Sequence, residues 1–593
     1  MANITIREVD STSSGISATN DNIAYVPGYA ITGPVNTPTL CESLEQFQVT
    51  FGYEPYVFKT KQAYPSFKTG ETDVTPKGAM YEIGDYEKSY IYAAELLKLG
   101  LPILYERVLP EHKISEGLTV KPDNLVAKLY FTKNGIVDLT TGTLNESETE
   151  FTKTEGGSKE DIVLIISANS VGIAATDTLI VYSVPGDNKD YFEFKITCSK
   201  RIYGKEETEI IRFTNDESKK DLAIPEPIYY YKDISSKFVN FKWLSDLQTI
   251  GSGDSDGINL SIDSKYTTDE EGQAIDEFNV SDLYTKMSES GFWDSVDRLT
   301  AKGEYDFKYL TSGAYPVFEH YISGAEPTVN SIATNMIKCA ETRGDATAYI
   351  DSTNNKTRTL IASNKDSVYY SYATYMRTLG NDYSIYSALF TPWYRSNCST
   401  VNKIIEMPAS FAYLSSLAKM IQIYPSYLAV AGVTRGLIPN FVSPCQNITN
   451  AMADSYQPRN DVAINAITNI KPYGYVIWGN RTGKNNAIDG NLTAQSFLNV
   501  RQMVSDIKKL VYTAAKSLTF EQNNDILWVN FKSKITPTLD KMVTSNGISG
   551  YKVIQKPTTE RAKIVALIKI YPIEPVEDWD ITIELSDAEV VVQ

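Results

Sequence analysis

Residues 493–593 decide the fold, and they read TAQSFLNVRQMVSDIKKLVYTAAKSLTFEQNNDILWVNFKSKITPTLDKMVTSNGISGYKVIQKPTTERAKIVALIKIYPIEPVEDWDITIELSDAEVVVQ. The first part predicts an amphipathic helix, because apolar residues recur at spacings of three and four. This apolar stripe consists of Val500, Met503, Val504, Ile507, Leu510, Val511 and Ala514. The polar face carries Arg501, Lys508, Lys509 and Lys516. The pattern is typical of a helix with one face on a core and the other in water.

A second helix is predicted from Asp525 to about Val543. Its apolar side consists of Leu527, Trp528, Phe531, Ile535, Leu539 and Met542. Asn523 or Asn524 can cap the first turn, because a short polar side chain accepts from the free backbone N–H groups there. Pro537 should kink the helix or split it. Asn546-Gly547 should end it in a left-handed turn.

Two strands are predicted next, at 551–556 and 562–571, joined by a turn that contains Pro557. A sheet of two strands is marginally stable in water and leaves an unpaired edge on each side. We therefore expect these edges to accept further strands. The acceptor positions are Val553, Ile564, Ala566 and Ile568.

Both ends of the chain alternate apolar and polar residues, as a strand does. The apolar positions are Ile581, Ile583 and Leu585 in the C-terminal segment 576–593, and Ile4 and Ile6 in the N-terminal segment 1–22. We predict that both segments are extended strand arms that add to the open sheets of neighbouring chains. Such a contact is heterologous, so it propagates into rings or helices instead of closing a dimer.

Four short stretches are distinctive: FEQNNDILW at 520–528, GISGY at 547–551, NAI at 465–467 and WGNRT at 478–482. Together they resemble the contractile tail sheath proteins of bacteriophages, R-type bacteriocins and related injection machines. The last two match the Asn-x-Ile and Trp-Gly-x-Arg-Thr patterns of that family. Which of these machines the chain would serve stays open at the level of sequence.

The resemblance implies a structural subunit and not an enzyme. It implies hexameric rings that stack into a helical sleeve around a tail tube and contract to drive the tube through a target cell envelope. The implied partners are further copies of the chain, the tail tube protein, and baseplate and tail terminator proteins. The implied location is the host cytoplasm during assembly and the virion afterwards.

In the family, the C-terminal domain is innermost and meets the tube. The residues that the resemblance makes candidates to face an acidic tube are Lys508, Lys509, Lys532, Lys534 and Lys541. Ordinary solvated helix faces explain the same lysines equally well.

The composition of the 593 residues is that of an ordinary globular protein, with 42% hydrophobic and 22% charged residues. The net charge of -17 argues against direct nucleic-acid binding, which needs a basic face. The start of the chain lacks the apolar stretch of a signal peptide, and no stretch approaches the ~18–20 apolar residues of a membrane span. Five scattered cysteines without a CxxC motif predict buried thiols in a reducing compartment. We therefore expect a cytosolic protein without membrane insertion.

The remaining chain divides by pattern into segments of an α+β multidomain protein. Residues 23–112 resemble the family's N-terminal domain. Residues 113–225 hold short alternating runs between turn signals, which predict a β-sandwich. Residues 226–445 alternate strands and helices, which predicts a parallel α/β layer, and the family has a subtilisin-like domain here. Residues 446–575 form the C-terminal domain of two helices and a short sheet.

A subtilisin-like fold raises the hypothesis of a degenerate hydrolase. A catalytic triad needs an Asp, a His and a nucleophilic Ser in a small-residue turn. The chain has two histidines, His112 and His320, and no Gly-x-Ser-x-Gly follows His320. Ser410 is a weak nucleophile candidate at a predicted helix start. We expect no catalysis, and a carbohydrate-binding or receptor-binding shell protein is the further alternative.

Other motifs that could indicate a metal or nucleotide site are weak. GSGDSDG at 251–257 resembles a calcium loop but lacks the distal Glu of an EF-hand, so a solvated turn is expected, as it is at 269–272. No GxxxxGK[ST] motif occurs, so we expect no nucleotide and no other cofactor. Contraction would then draw on the free-energy difference between two packings of the subunits.

Overall fold

The computed structural model describes residues 22–63, 79–115, 118–185, 191–222, 225–246, 257–268, 273–293, 298–301, 304–317, 331–351, 368–488, 490–559 and 563–577. Within them the chain is a mixed α+β protein with a central sheet, a two-sheet insertion and a C-terminal module. None of the helices in these ranges is both long enough and apolar enough to cross a membrane.

A central sheet of eight strands organises the body. In spatial order its strands are Thr39–Cys41, Ile103–Arg107, Ala24–Gly28, Tyr309–Leu310, Thr347–Asp351, Ser387–Thr391, Asn465–Ile470 and Gly474–Trp478. The inner strands run parallel, and the outermost strand on each side is antiparallel to its neighbour. Ser387–Thr391 is buried along its whole length, as a parallel strand covered on both faces is. The prediction of a parallel α/β layer is confirmed.

Helices cover both faces of the central sheet and form two separate hydrophobic cores. Ser331–Arg343 and Val368–Leu379 pack into one core, and Lys88–Lys98 and Ala409–Met420 pack into the other. Successive strand residues alternate between the two cores, as strand geometry requires. Shorter helices of the body are Leu44–Phe51, Val280–Ser288, Ser290–Trp293, Asn381–Ser384, Gly432–Arg435 and Asn450–Ser455.

The central sheet crosses the predicted domain boundaries. It takes Ala24–Gly28 and Ile103–Arg107 from the segment 23–112, and Asn465–Ile470 from the segment 446–575. The boundaries predicted at 112 and 445 therefore do not separate independent sheets and are wrong in that respect. The physical reason is that parallel strands adjacent in space require long crossover connections between them in sequence.

The insertion between Ile103–Arg107 and Tyr309–Leu310 contains a β-sandwich, as predicted. One sheet consists of Gly142–Leu144, Glu150–Lys153, Lys159–Val171, Val126–Thr132 and Gly135–Ile136, with Val239–Trp243 also paired to Lys159–Val171. The other consists of Ile228–Tyr230, Glu207–Thr214, Phe192–Cys198, Leu179–Ser183 and Ile258–Asn259, and the short helix Lys200–Tyr203 lies between two of these strands in sequence. Phe131 of the first sheet meets Tyr182 and Phe194 of the second at ring-centroid distances of 5.6 and 6.0 Å.

The predicted end of the sandwich at residue 225 is wrong. Three of its strands follow Pro225, and the last is Ile258–Asn259. Pro225 marks a connection within the sandwich, because a proline breaks local hydrogen bonding whether or not a domain ends there.

Three further small sheets lie outside the C-terminal module. They are Tyr394–Cys398 with Lys403–Met407 and Phe441–Pro444, Gln62–Ala63 with Ala79–Tyr81, and His112–Ser115 with Leu118–Val120. Ser387–Thr391 and Tyr394–Cys398 are separate strands, because Pro392 between them lacks the backbone N–H that a sheet ladder uses.

The C-terminal module has the predicted two helices and hairpin. We name Leu498–Ser517 the junction helix, Asp525–Thr544 the terminal helix, and the antiparallel pair Ile548–Lys556 and Val565–Pro572 the terminal hairpin. The backbone N–H of Leu527 donates to Asn524 Oδ1 at 2.9 Å, which confirms Asn524 as the cap. Asn546 has a φ of 57°, which confirms the left-handed end of the helix.

Pro537 lies inside the terminal helix without splitting it, so of the two predicted outcomes, a kink or a split, the split does not occur. Phe531 and Ile535 precede the proline and Leu539 follows it, and all three are buried in one core. Packing on both sides of Pro537 therefore holds the helix together despite the missing hydrogen bond.

The junction helix is buried over more of its surface than predicted. Its apolar stripe packs into the core of the C-terminal module. The face expected to be solvated lies against the body, where Arg501 donates to the Gly344 carbonyl at 2.7 Å. Gln502 donates to the hydroxyls of Tyr349 and Tyr413 at 2.9 and 2.6 Å. The module and the body thus share this helix, which fixes one to the other.

Candidate assembly interface

The terminal hairpin is a two-stranded sheet in the part of the chain that the structure describes. Its strands pair with Val553 opposite Ile568 and Gln555 opposite Ala566. One face packs against the terminal helix through Tyr551, Val553, Ile568 and Ile570. Within the described residues, neither strand pairs with a third one, so the outer edge of each is without a sheet partner. Such edges are ready sites for strand addition.

The predicted acceptor residues fall along one face of this hairpin. By strand alternation, Val553, Ala566 and Ile568 lie on the face that meets the terminal helix. Val553 and Ile568 are half-buried, whereas Ala566 is exposed near the turn end of the hairpin. Ile564 comes one residue before the strand Val565–Pro572 and is half-buried. Their role as acceptors stays a prediction.

The predicted arm residues lie outside the described part of the chain. They are Ile4, Ile6, Ile581, Ile583 and Leu585. The description ends at Glu577, and the segment that leads to it from the hairpin packs poorly, because Ile573 and Val576 are 42% and 69% exposed. The last described residues therefore run along the surface.

The predicted tube-facing lysines separate into two groups. Lys509 is only 6% exposed and forms an ion pair with Asp306, so its assignment to an outer surface is wrong in this structure. Lys508 donates to the Gly344 carbonyl at 2.9 Å. The physical reason is that Lys509 lies on the face of the junction helix that packs against the body, whereas Lys508 is exposed beside that face. The three lysines of the terminal helix, Lys532, Lys534 and Lys541, are exposed.

A buried arginine binds the side chain of Glu577. Arg481 Nε donates to Glu577 Oε1 at 2.9 Å, and Arg481 Nη2 donates to Glu577 Oε2, so the two side chains meet fork to fork. The Arg481 side chain is 2% exposed and that of Glu577 is a quarter exposed. Phe497 lies under the guanidinium at 5.1 Å from its ring centroid. This pair holds the C-terminal end of the described chain against the body.

The Asn-x-Ile and Trp-Gly-x-Arg-Thr motifs meet at this arginine. Asn465 Oδ1 accepts the backbone N–H of Arg481 at 2.8 Å, and Asn465 Nδ2 donates to the backbone carbonyl of Arg481 at 2.9 Å. The sequence identified both motifs but not their contact or the role of Glu577. The sequence did offer one signal for the contact. Asn465 and Arg481 stand next to apolar strands, and a buried amide or guanidinium needs a hydrogen-bond partner.

A cavity of about 300 Å³ lies beside the ion pair. Arg481 and Glu577 line it together with Trp478, Arg435 and Pro575. The chain before Glu577 is therefore not packed tightly against the body, and the ion pair bridges a partly empty space.

Ser410, the nucleophile candidate, lies beside a carboxylate in the core. It is buried, and its hydroxyl lies 2.5 Å from Asp351 Oδ2 and 3.1 Å from the Tyr92 hydroxyl. His112 lies elsewhere, 2.6 Å from Asp282, and His320 is outside the described residues. The structure thus places Ser410 against a carboxylate in the core, and His112, the histidine among the described residues, is not its partner.

The weaker sequence features can also be located. All five cysteines are thiols; Cys41, Cys198, Cys339 and Cys398 are buried, as predicted, and Cys445 is half-buried. Burial raises the pKa of Cys41 and of Cys398 to about 12, which makes them poor nucleophiles. Of the predicted loop 251–257 only Gly257 is described, and 269–272 lies outside the described residues.

Comparison with known proteins gives one curated relative. A stretch of 158 residues, 26% of this chain, is 27% identical to the tail sheath protein of Vibrio phage KVP40. The match spans 22% of the length of that relative. No family model matches the chain. The chain is similar to a tail sheath protein, so the resemblance predicted from its motifs is confirmed.

Several solved structures also resemble the chain. The sheath tail protein of Listeria innocua is 11% identical with a TM-score of 0.49, and the alignment covers 93% of this chain and 95% of that one. The sheath tail protein of Desulfitobacterium hafniense is 11% identical with a TM-score of 0.45, covering 97% of this chain and 100% of the other. The sheath complex of an extracellular contractile injection system in its contracted state is 16% identical with a TM-score of 0.37, covering 52% and 80%.

Proposed function

We propose that this chain is a structural subunit of a contractile tail sheath and has no enzymatic activity. The observation that carries the proposal is the terminal hairpin, a two-stranded sheet whose outer edges have no partner among the described residues. The similarity to a curated tail sheath protein supports it. The runner-up hypothesis of a degenerate hydrolase has no supporting geometry at Ser410.

In the assembly that we propose, the segments 1–22 and 576–593 are arms. Each adds as a strand to the terminal hairpin of a neighbouring copy, where backbone hydrogen bonds complete the sheet. Because donor and acceptor surfaces differ, the contact propagates from copy to copy. We propose that it builds hexameric rings stacked into a sleeve around a tail tube, between a baseplate and a tail terminator.

Contraction then follows from two packings of the same subunits. The extended sleeve is metastable, and its release lets the bodies, which we infer to be subtilisin-like, repack while the arms keep neighbouring copies connected. The exposed lysines of the terminal helix, Lys532, Lys534 and Lys541, are the cations that we assign to the acidic tube. The subunit would be made in the host cytoplasm and reside in the virion.

Deletion of residues 579–593 tests the arm. We expect a folded monomer that forms no sleeves in negative-stain images, while the full chain forms them. The double substitution Ile581→Lys and Ile583→Lys should have the same effect, because it places charge on the apolar positions of the alternating pattern. Thr582→Lys and Glu584→Lys, on the other positions of that pattern, serve as the control. Sleeves from the truncated chain would contradict the proposal.

A further inference from the structure

The described chain ends beyond the terminal hairpin at one polar contact with the body. Ile573 donates its backbone N–H to the Gly547 carbonyl at 3.2 Å and so marks the end of the hairpin ladder. Beyond it, Val576 is largely exposed. The next described contact with the body is the ion pair of Glu577 with Arg481. Glu577 is therefore the last described contact of the chain with the body.

Arg481 is held in position independently of Glu577. The side chain of Asn465 bonds both the N–H and the carbonyl of its backbone. On either side, the Asn480 carbonyl accepts from Leu498 at 2.9 Å and Thr482 donates to the Ser496 carbonyl at 3.0 Å. These bonds tie the loop to the start of the junction helix. A guanidinium fixed in this way presents two parallel donors that match a carboxylate and a single direction of approach.

The charge on this arginine makes the contact selective. Within the described residues, Glu577 is the carboxylate that pairs with the buried guanidinium. Arg481 Nη1 is also buried and has no hydrogen-bond partner there. An ionised side chain so far from water depends on its remaining counter-charge. Because a cavity lies beside the pair, residues 574–577 make little apolar contact with the body. The ion pair is therefore the main interaction that holds this segment against the body.

We propose that Arg481 and Glu577 form an exit anchor, which fixes the place and direction in which the C-terminal segment leaves the body toward a neighbouring copy of this chain. This inference rests on the proposed function, since it needs the segment to be a donor strand. Residues 578–593 span about 50 Å when extended, at roughly 3.3 Å per residue. Without the anchor, the tether begins at Ile573 and its starting direction is free.

The anchor matters for assembly because it orders the tether in advance. A segment that starts from a fixed point samples less volume, which raises its effective concentration at the acceptor sheet. Loss of the anchor leaves residues 574–577 to be ordered at the moment of docking, each at an entropic cost. We expect the protein concentration needed for sleeves to rise at least about tenfold, which corresponds to the entropic cost of ordering roughly one residue.

Glu577→Gln is the main test variant, since it keeps the shape of the side chain, removes its charge and lies at the edge of the contact. Glu574→Gln is the matched control, because Glu574 is an exposed acid in the same segment. We expect Glu577→Gln to stay folded with a cooperative thermal transition, at a lower midpoint than the parent because Arg481 loses its counter-charge. In the unassembled chain, proteolytic cleavage after residue 577 should become at least several-fold faster. The concentration for sleeves should rise, and Glu574→Gln should behave as the parent.

The double variant Arg481→Glu with Glu577→Arg separates pairing from general charge effects. Recovery of slow cleavage and of sleeve formation relative to the single variant Arg481→Glu would support the anchor. Unchanged cleavage in Glu577→Gln overturns the anchor, and faster cleavage with unchanged assembly overturns its role in assembly. Sleeves from the chain without residues 579–593 would instead overturn the arm itself, so the two failures are distinguishable.

Discussion

The Asp351 carboxylate accepts two hydrogen bonds from Ser410, from its backbone N–H at 3.0 Å and from its hydroxyl at 2.5 Å. Both residues are buried, at the end of the strand Thr347–Asp351 and the start of the helix Ala409–Met420. Burial raises the pKa of Asp351 to about 7, because the loss of water disfavours the charge more than Ser410 favours it. The buried carboxyl group of Asp351, inside the central layer, therefore titrates near neutral pH.

We expect this group to make the protein less stable as the pH rises. Its pKa in the unfolded chain is near the ordinary value of 3.8, so the folded state binds the proton more tightly. The contribution is complete below pH 3.8 and is lost as the pH rises through about 7. Asp351→Asn should flatten the pH profile of the unfolding free energy by up to ~4 kcal/mol between pH 4 and pH 8, measured by denaturant titration.

Asp138→Asn is the control for this profile. Asp138 is exposed, and hydrogen bonds from Thr140 lower its pKa below the ordinary value, so it titrates outside the window. Its substitution should leave the slope between pH 4 and pH 8 unchanged. A slope that persists in Asp351→Asn would assign the pH dependence to other groups.

Patterns within one segment were sufficient to locate most elements of the C-terminal module. The three- and four-residue spacing of apolar residues gave both long helices, and Asn524 and Asn546 marked the ends of the second. These features depend on neighbours within a few residues, which a sequence displays directly. The open hairpin followed from strand alternation in the same way.

Contacts between distant segments were not predictable. Arg481 and Glu577 are 96 residues apart, and nothing in either segment names the other as its partner. Arg501 reads as a solvated residue because its burial depends on the Gly344 carbonyl, far away in sequence. The strand order of the central sheet was unpredictable for the same reason, since its neighbouring strands come from segments that local patterns assign to different domains. Pairing of this kind is decided by packing and not by propensity.

Gly28→Ala should destabilise the body by ~2–3 kcal/mol. A Cβ at this position would lie 1.8 Å from the Ser89 hydroxyl oxygen, where the strand Ala24–Gly28 meets the helix Lys88–Lys98. Ser89 cannot turn away without loss, because its hydroxyl donates to Glu87 at 2.6 Å. Gly291→Ala is the control, since a Cβ there meets no atom within 4 Å. Equal unfolding midpoints for the two variants would contradict the close approach.

Lys509→Met should lower the unfolding free energy by ~1–2 kcal/mol, because it leaves Asp306 without its cation at a half-exposed position. Lys532→Met on the exposed face of the terminal helix should change it by less than ~0.5 kcal/mol. Denaturant unfolding of both variants measures the difference. If the two lysines proved equivalent, the assignment of Lys509 to an internal ion pair would be wrong.

Pro537→Ala should stabilise the C-terminal module by ~1–2 kcal/mol. The terminal helix is continuous through Pro537, so alanine can restore the hydrogen bond to the Ser533 carbonyl that proline cannot make. The restored hydrogen bond outweighs the ~0.4–1 kcal/mol by which alanine stabilises the unfolded chain, whose conformational entropy is larger without the proline. Slower amide hydrogen exchange across Asp525–Thr544 would report the change, and Lys534→Ala, at an exposed position of the same helix, is the control. Faster exchange in Pro537→Ala would instead indicate that the packing of Ile535 and Leu539 requires the local geometry that the proline imposes.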